Sequence, residues 1–148
     1  MRNFLGGLLA LLFIGAVQPA KAAYTITFDP GGVITEFYDK YTLIRQAGGK
    51  VIIDGPCISA CTLVTNLIDN EDVCITPRAI LGFHSASHGS EFSPDGTGLL
   101  WHQYPKVVRD FLISKGWDGT TAHPELIWMD NETLRTIYKT CPTPRNND

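Results

Sequence analysis

Three short stretches of the chain hold residue types that could react together. Gly31-Gly32 follows Tyr24 to Phe28, an alternating apolar and polar run that reads as a strand. Gly55-Pro56-Cys57-Ile58-Ser59-Ala60-Cys61 follows the apolar triplet Val51-Ile52-Ile53. It leads into Ser59 to Ile68, a mostly apolar run that reads as a buried helix. His84 closes a further apolar run, Ala79 to Phe83. All three thus fall at the carboxyl ends of predicted strands, where open α/β sheets place their ligands. A serine at a helix start sits among N–H groups that lack intrahelical partners, at the positive end of the dipole. Such donors stabilise a developing oxyanion, and histidine is the commonest base for a serine hydroxyl. The chemistry these types suit is nucleophilic attack by a hydroxyl whose proton passes to an imidazole.

The elements that must position these residues follow from the apolar spacing. Ile34, Phe37, Tyr38, Tyr41 and Ile44 recur at helical intervals, and Gly48-Gly49 supplies a stop. Asp69 to Asp72 is a solvated turn before the strand Val73-Cys74-Ile75. Residues 85–98 are rich in Gly, Pro and Ser and read as a long mobile loop of the kind that carries function. Pro105 opens a helix to about Lys115, and a last helix is expected from Asn131 to Tyr138. Strands alternating with helices imply parallel pairing, so the expected fold is a small single α/β domain built of β-α-β units. The length of 148 residues suits one domain. With 44% apolar residues, 18% charged residues and net charge −3, the chain is neither disordered nor equipped with a nucleic-acid footprint.

Residues 1–22 read as an address. Arg2 precedes the uncharged apolar run Phe4 to Val17, and Ala20-Lys21-Ala22 ends it with the small residues a signal peptidase accepts. An uncleaved anchor is the rival reading. The expectation is an exported protein, periplasmic or extracellular, whose folded domain is 23–148. Four cysteines in an oxidising compartment point to two disulfides rather than a zinc site, since no Cys-x-x-Cys spacing occurs. Cys57 and Cys61 lie one turn apart near a helix start, a poor geometry for a useful bridge. Of the three possible pairings, Cys61–Cys74 with Cys57–Cys141 is favoured, the latter tying the C-terminal segment to the centre.

At the reactive stretches the chain resembles the proteolytic subunit of Clp protease, within the wider Clp/crotonase superfamily. Asp29-Pro30-Gly31-Gly32-Val33-Ile34-Thr35 is similar to that family's glycine loop, and Gly55-x-x-x-Ser59-Ala60 to its nucleophile segment. Phe83-His84 matches its catalytic histidine in order and spacing. Gly-Pro-Cys-Ile-Ser-Ala-Cys-Thr with a later Gly-Phe-His-Ser-Ala resembles small exported Clp-like proteins of mostly undefined activity. The resemblance implies a mostly parallel sheet, Ser59 as nucleophile, His84 as general base, and the N–H groups of Gly32 and Ala60 as the oxyanion hole. The family's triad aspartate falls near Leu126, where no carboxylate aligns; Asp130 is the candidate third catalytic member and Glu125 its rival. It implies an exported serine hydrolase of peptidase type, acting on a peptide or an unfolded segment, compatible with a homo-oligomer. No cofactor, no metal, no nucleic acid and no ATPase partner are expected.

Each residue also has a plainer reading. Ser59 suits a helix N-cap, His84 a satisfied core histidine, Gly31-Gly32 a tight turn, and Asp130 an N-cap of the last helix. His84 and His88 have a metal-like spacing but run into a Gly-rich loop, and the three tryptophans suit packing anchors better than a ligand cage. The spacing is not a Gly-x-Ser-x-Gly elbow, which excludes the α/β-hydrolase pattern. The alternative function is a non-catalytic, disulfide-clamped binding domain on the same fold. A crotonase-like acyl-CoA enzyme is disfavoured outside the cytoplasm.

Overall fold

Alternating burial along the two central of four short strands builds the first layer. In the computed structural model, which describes residues 22–142, strands β1 (Ala23–Ile26), β2 (Lys50–Ile53), β4 (Val73–Ile75) and β9 (Lys139–Thr140) form one sheet in the order β1-β2-β4-β9, parallel throughout. Ile26, Val51, Ile53, Val73 and Ile75 are buried on one face, as the period of two requires. A second sheet has the order β3-β5-β8, from β3 (Pro56–Ile58), β5 (Ile80–Phe83) and β8 (Ile127–Met129); β3 and β5 are parallel, β5 and β8 antiparallel. A hairpin, β6 (Ser87–His88) with β7 (Glu91–Phe92), follows β5. The fold is thus α/β with mostly parallel pairing.

The chain passes from the first sheet to the second just after β1. Asp29 makes a parallel bridge to Cys57, with Asp29 N–H donating to the Pro56 carbonyl and Ile58 N–H to the Asp29 carbonyl. This crossing leaves no room at Gly55, where a β-carbon would collide with the Thr27 carbonyl. Helix α1 (Ile34–Gln46) follows the glycine loop and buries Phe37 and Tyr41. The run predicted as one helix from Ser59 instead begins as a 3₁₀ turn, Ser59–Leu63, continued by the short α2 (Val64–Leu67). Its residues Ala60 to Val64 are fully buried, so packing rather than propensity sets its shape.

The predicted 85–98 loop is more ordered than its composition implied. Besides the hairpin, it contains the start of α3 (Pro94–Gln103), where the Ser93 hydroxyl accepts from Gly96 N–H. Ser93-Pro94-Asp95 is a helix-start signal, which Gly96 and Gly98 obscured. Helix α4 (Lys106–Ser114) lies where expected and buries Val108 and Leu112. Trp117 is fully buried, edge-on to Trp101, and its indole donates to the Thr121 carbonyl, which makes it a loop anchor. The last helix is only α5 (Asn131–Leu134), because residues 139–140 leave it to pair with β4.

Both expected disulfide pairs are corrected. The bridges are Cys57–Cys61 and Cys74–Cys141, and no described cysteine is free. Cys57 lies in a strand and Cys61 in a 3₁₀ turn, so helical spacing does not apply; their Cα atoms are 5.3 Å apart, within bridging range. Cys141 is delivered to Cys74 by the β4–β9 pairing, with Cys141 N–H donating to the Ile75 carbonyl. No helix among the described residues is long and apolar enough to cross a membrane, and the predicted signal segment 1–22 lies outside them save for Ala22.

Candidate active site

Ser59 is the one non-glycine residue with positive φ among the described residues, at +57°. This left-handed backbone costs roughly 1–2 kcal/mol for a residue with a β-carbon. It also overturns the capping reading: the cap position is Ile58, in extended conformation, and no side chain caps the turn. Its hydroxyl makes none of the hydrogen bonds among the described residues. The serine side chain therefore serves no visible structural purpose in a conformation that disfavours it. Ser59→Gly is expected to raise folding stability by about 1 kcal/mol, read from the denaturant midpoint. A loss of stability would mean that the hydroxyl is structural after all.

Neighbouring groups hold this turn. The Ser59 carbonyl accepts from the Thr62 hydroxyl at 2.5 Å, so the buried Tyr104 hydroxyl, 2.9 Å from Thr62 Oγ1, must donate to it. Burial raises the Tyr104 pKa, which keeps that donor protonated. The Tyr41 hydroxyl donates to the Cys61 carbonyl at 2.9 Å, and burial, followed by the charge of Asp29, likewise raises its pKa. Gly31, at φ +83°, presses its α-carbon on the same turn. A β-carbon there would lie 2.6 Å from the Ile58 carbonyl oxygen and 2.7 Å from Ser59 Cβ. Gly31→Ala is therefore expected to cost at least about 2 kcal/mol, from backbone strain and overlap together. Thermal unfolding within a degree or two of wild type would contradict the close approach.

The glycine loop is fixed by Asp29, to which sequence reasoning gave no role beyond membership of that loop. One carboxylate oxygen accepts from Gly31 N–H at 2.9 Å, and the other pairs with Lys40 on α1 at 3.2 Å. The Lys40 ammonium also lies 3.7 Å from the Phe37 ring centroid. The Asp-x-Gly spacing is an Asx-turn signal that could have flagged this contact. Gly31 N–H is committed to Asp29, whereas Gly32 N–H makes no hydrogen bond among the described residues, and Gly32 lines the same cleft as Ser59.

Ser59, His84, Gly31 and Gly32 line one open cleft of about 560 Å³, together with Val33, Ser87 and His88. The residues that line the cleft include no carboxylate and no lysine or arginine. His84 Nδ1 lies 2.8 Å from the Ser85 carbonyl oxygen. A carbonyl can only accept, so Nδ1 is the donor in this contact, and Nε2 makes no hydrogen bond among the described residues. Ser85 is itself clasped by His123: Ser85 N–H donates to the His123 carbonyl, and His123 N–H to the Ser85 hydroxyl, both at 2.9 Å. No hydrogen bond joins the Ser59 hydroxyl to the imidazole among the described residues.

Asp130, the candidate third catalytic member, does not line this cleft. It caps α5, its Oδ1 accepting from Thr133 N–H at 2.9 Å, a bond that lowers its pKa. The β5–β8 register puts Met129 opposite Leu81, so Asp130 falls at the end of β5 away from His84. Glu125 falls at the near end, but its side chain is exposed and only its carbonyl is bonded, to His123 Nδ1. Ala60 follows Ser59 directly and its N–H opens the 3₁₀ turn. Among the described residues no three His, Cys, Asp or Glu side chains gather as metal ligands.

No family model matches the chain, and no curated protein matches it. Solved structures do. One is a single-site mutant of ClpP1 from Listeria monocytogenes, at 12% sequence identity and a TM-score of 0.53, aligned over 84% of this chain and 77% of that one. The chain has a Clp-protease-like fold, and at this identity the likeness carries the fold alone.

Proposed function

We propose that this protein is an exported serine hydrolase of peptidase type. The observation that carries the reading is Ser59: an unbonded hydroxyl on a disfavoured backbone, in one cleft with an imidazole whose Nε2 makes no hydrogen bond among the described residues. Strained backbone of this kind is retained where surrounding structure over-determines it, commonly at reacting sites. The two disulfides are compatible with export, and residues 1–22 have the pattern of a cleaved signal.

In the proposed reaction Ser59 Oγ attacks the carbonyl carbon of a peptide bond while His84 Nε2 takes its proton. The carbonyl oxygen, now negative, accepts from Gly32 and Ala60 N–H, each such donor being worth about 3–4 kcal/mol in the transition state. The tetrahedral intermediate collapses, the C–N bond breaks, and the departing amine takes the proton from His84. Water then attacks the acyl-serine by the same route. The Ser85 carbonyl does the orienting that an aspartate performs in a full triad. A peptide segment fits the uncharged lining of the cleft, and the reading needs no cofactor, nucleic acid or ATPase partner. The non-catalytic alternative is favoured by one observation, the missing bond between Ser59 and His84, although such bonds often tighten only with substrate.

A fluorophosphonate probe tests the reading. Wild type should become labelled and Ser59→Ala should not, with both equally folded by circular dichroism. Equal labelling of the two, or none of folded wild type, would overturn it.

A further inference from the structure

We infer that the Cys57–Cys61 disulfide is a positioning element of the site, holding Ser59 in its left-handed conformation; the inference rests on the serine-hydrolase reading. The bridge spans only the residues that bracket Ser59, two on either side, and both cysteines are fully buried. Cys57 is fixed in β3 by pairing with Leu81 of β5 and by its bridge to Asp29. Cys61 is fixed by Tyr41, whose hydroxyl donates to its carbonyl. With both ends anchored 5.3 Å apart at their Cα atoms, the intervening Ile58-Ser59-Ala60 must reverse within three residues. A positive φ at the central residue makes that reversal. An uncrosslinked serine would relax toward the right-handed region, which carries the hydroxyl away from the cleft.

The second bridge provides the contrast. Cys74–Cys141 ties β4 to the segment after β9, and neither cysteine belongs to the Ser59 turn or to the strand that feeds it. If cross-linking mattered only for stability, removing the longer bridge would matter more. If Cys57–Cys61 positions the nucleophile, removing the shorter one lowers reactivity per folded molecule.

The test compares Cys57→Ala/Cys61→Ala with Cys74→Ala/Cys141→Ala, each assayed below its own melting transition. Fluorophosphonate labelling gives a maximal rate and a half-saturating concentration, and the Ser59 Cα shift and N–H to Hα coupling report its φ. In the first variant the maximal rate should fall at least about tenfold, the cost of a misplaced reacting group, with half-saturation little changed. Ser59 should also leave the left-handed region. The second variant should match wild type in both respects. Cys57→Val/Cys61→Ala, which better fills the vacated volume, serves if the alanine pair does not fold; failure of both to fold would assign the bridge to stability and overturn the inference. An unchanged rate, or an unchanged Ser59 conformation, would overturn it while leaving the hydrolase reading intact. Unlabelled wild type would sink the hydrolase reading, and the Ser59 conformation would still decide what the bridge holds.

Discussion

His84→Ala is expected to slow phosphonylation of Ser59 by about 10³-fold or more, the contribution of a positioned general base, with little change in stability. The imidazole is half-buried and its one hydrogen bond goes to the neighbouring Ser85 carbonyl, so its removal opens no core cavity. The companion result separates this site from a full triad. Where an aspartate orients the imidazole, converting it to asparagine costs about 10⁴-fold, because the wrong tautomer is then held. Here the group that Nδ1 meets is the Ser85 carbonyl and not a carboxylate. Asp130→Asn and Glu125→Gln should therefore each leave the labelling rate within about threefold of wild type. A large loss in either would restore a carboxylate to the mechanism; a negligible effect of His84→Ala would remove histidine from it.

Loss of the Cys74–Cys141 bridge should have the largest effect on stability. It joins positions 67 residues apart, for which the chain-entropy model gives about 4 kcal/mol. Cys74→Ala/Cys141→Ala should lose roughly that amount by urea denaturation, a Tm decrease of about 15 °C for a domain of this size. The β4–β9 pairing, only two residues long, cannot substitute for the covalent tie. Peptide mapping of the oxidised protein should recover Cys74 joined to Cys141, and Cys57 joined to Cys61. A stability loss below about 1 kcal/mol would show that the C-terminal segment contributes little to the fold.

The parts of the fold that were legible in the sequence are those written by local periodicity. Helix α1 shows its apolar face at Phe37 and Tyr41 and its stop at Gly48-Gly49, and β2, β4 and β5 are short apolar runs between turn residues. What was missed depends on partners distant in sequence. Strand β3 begins with Pro56 and is three residues long, so only its pairing with β5 and Asp29 defines it. Strand β8 and the two residues of β9 likewise exist through β5 and β4. The same holds for the disulfides: helical spacing argued against Cys57–Cys61 until Ser59 broke the helix.

The site was legible as a set of residues and not as a geometry. Ser59, His84 and the glycine loop were named from type and order, and they line one cleft. The left-handed backbone at Ser59 was not, because serine carries no propensity for it; it arises only in the folded turn that Cys57 and Cys61 close. Nor was the orienting carbonyl, since backbone acceptors leave no mark on composition. The Asp29–Lys40 pair did leave one, the Asp-x-Gly turn, whose role shows only once α1 folds back over the loop.

The most direct measurement is a crystal structure of the protein after reaction with a fluorophosphonate. The account predicts phosphorus bonded to Ser59 Oγ, with the phosphonyl oxygen accepting hydrogen bonds from Gly32 and Ala60 N–H and His84 Nε2 turned toward the serine oxygen. Phosphorus on any other residue, or a phosphonyl oxygen facing solvent with both N–H groups unused, would contradict it.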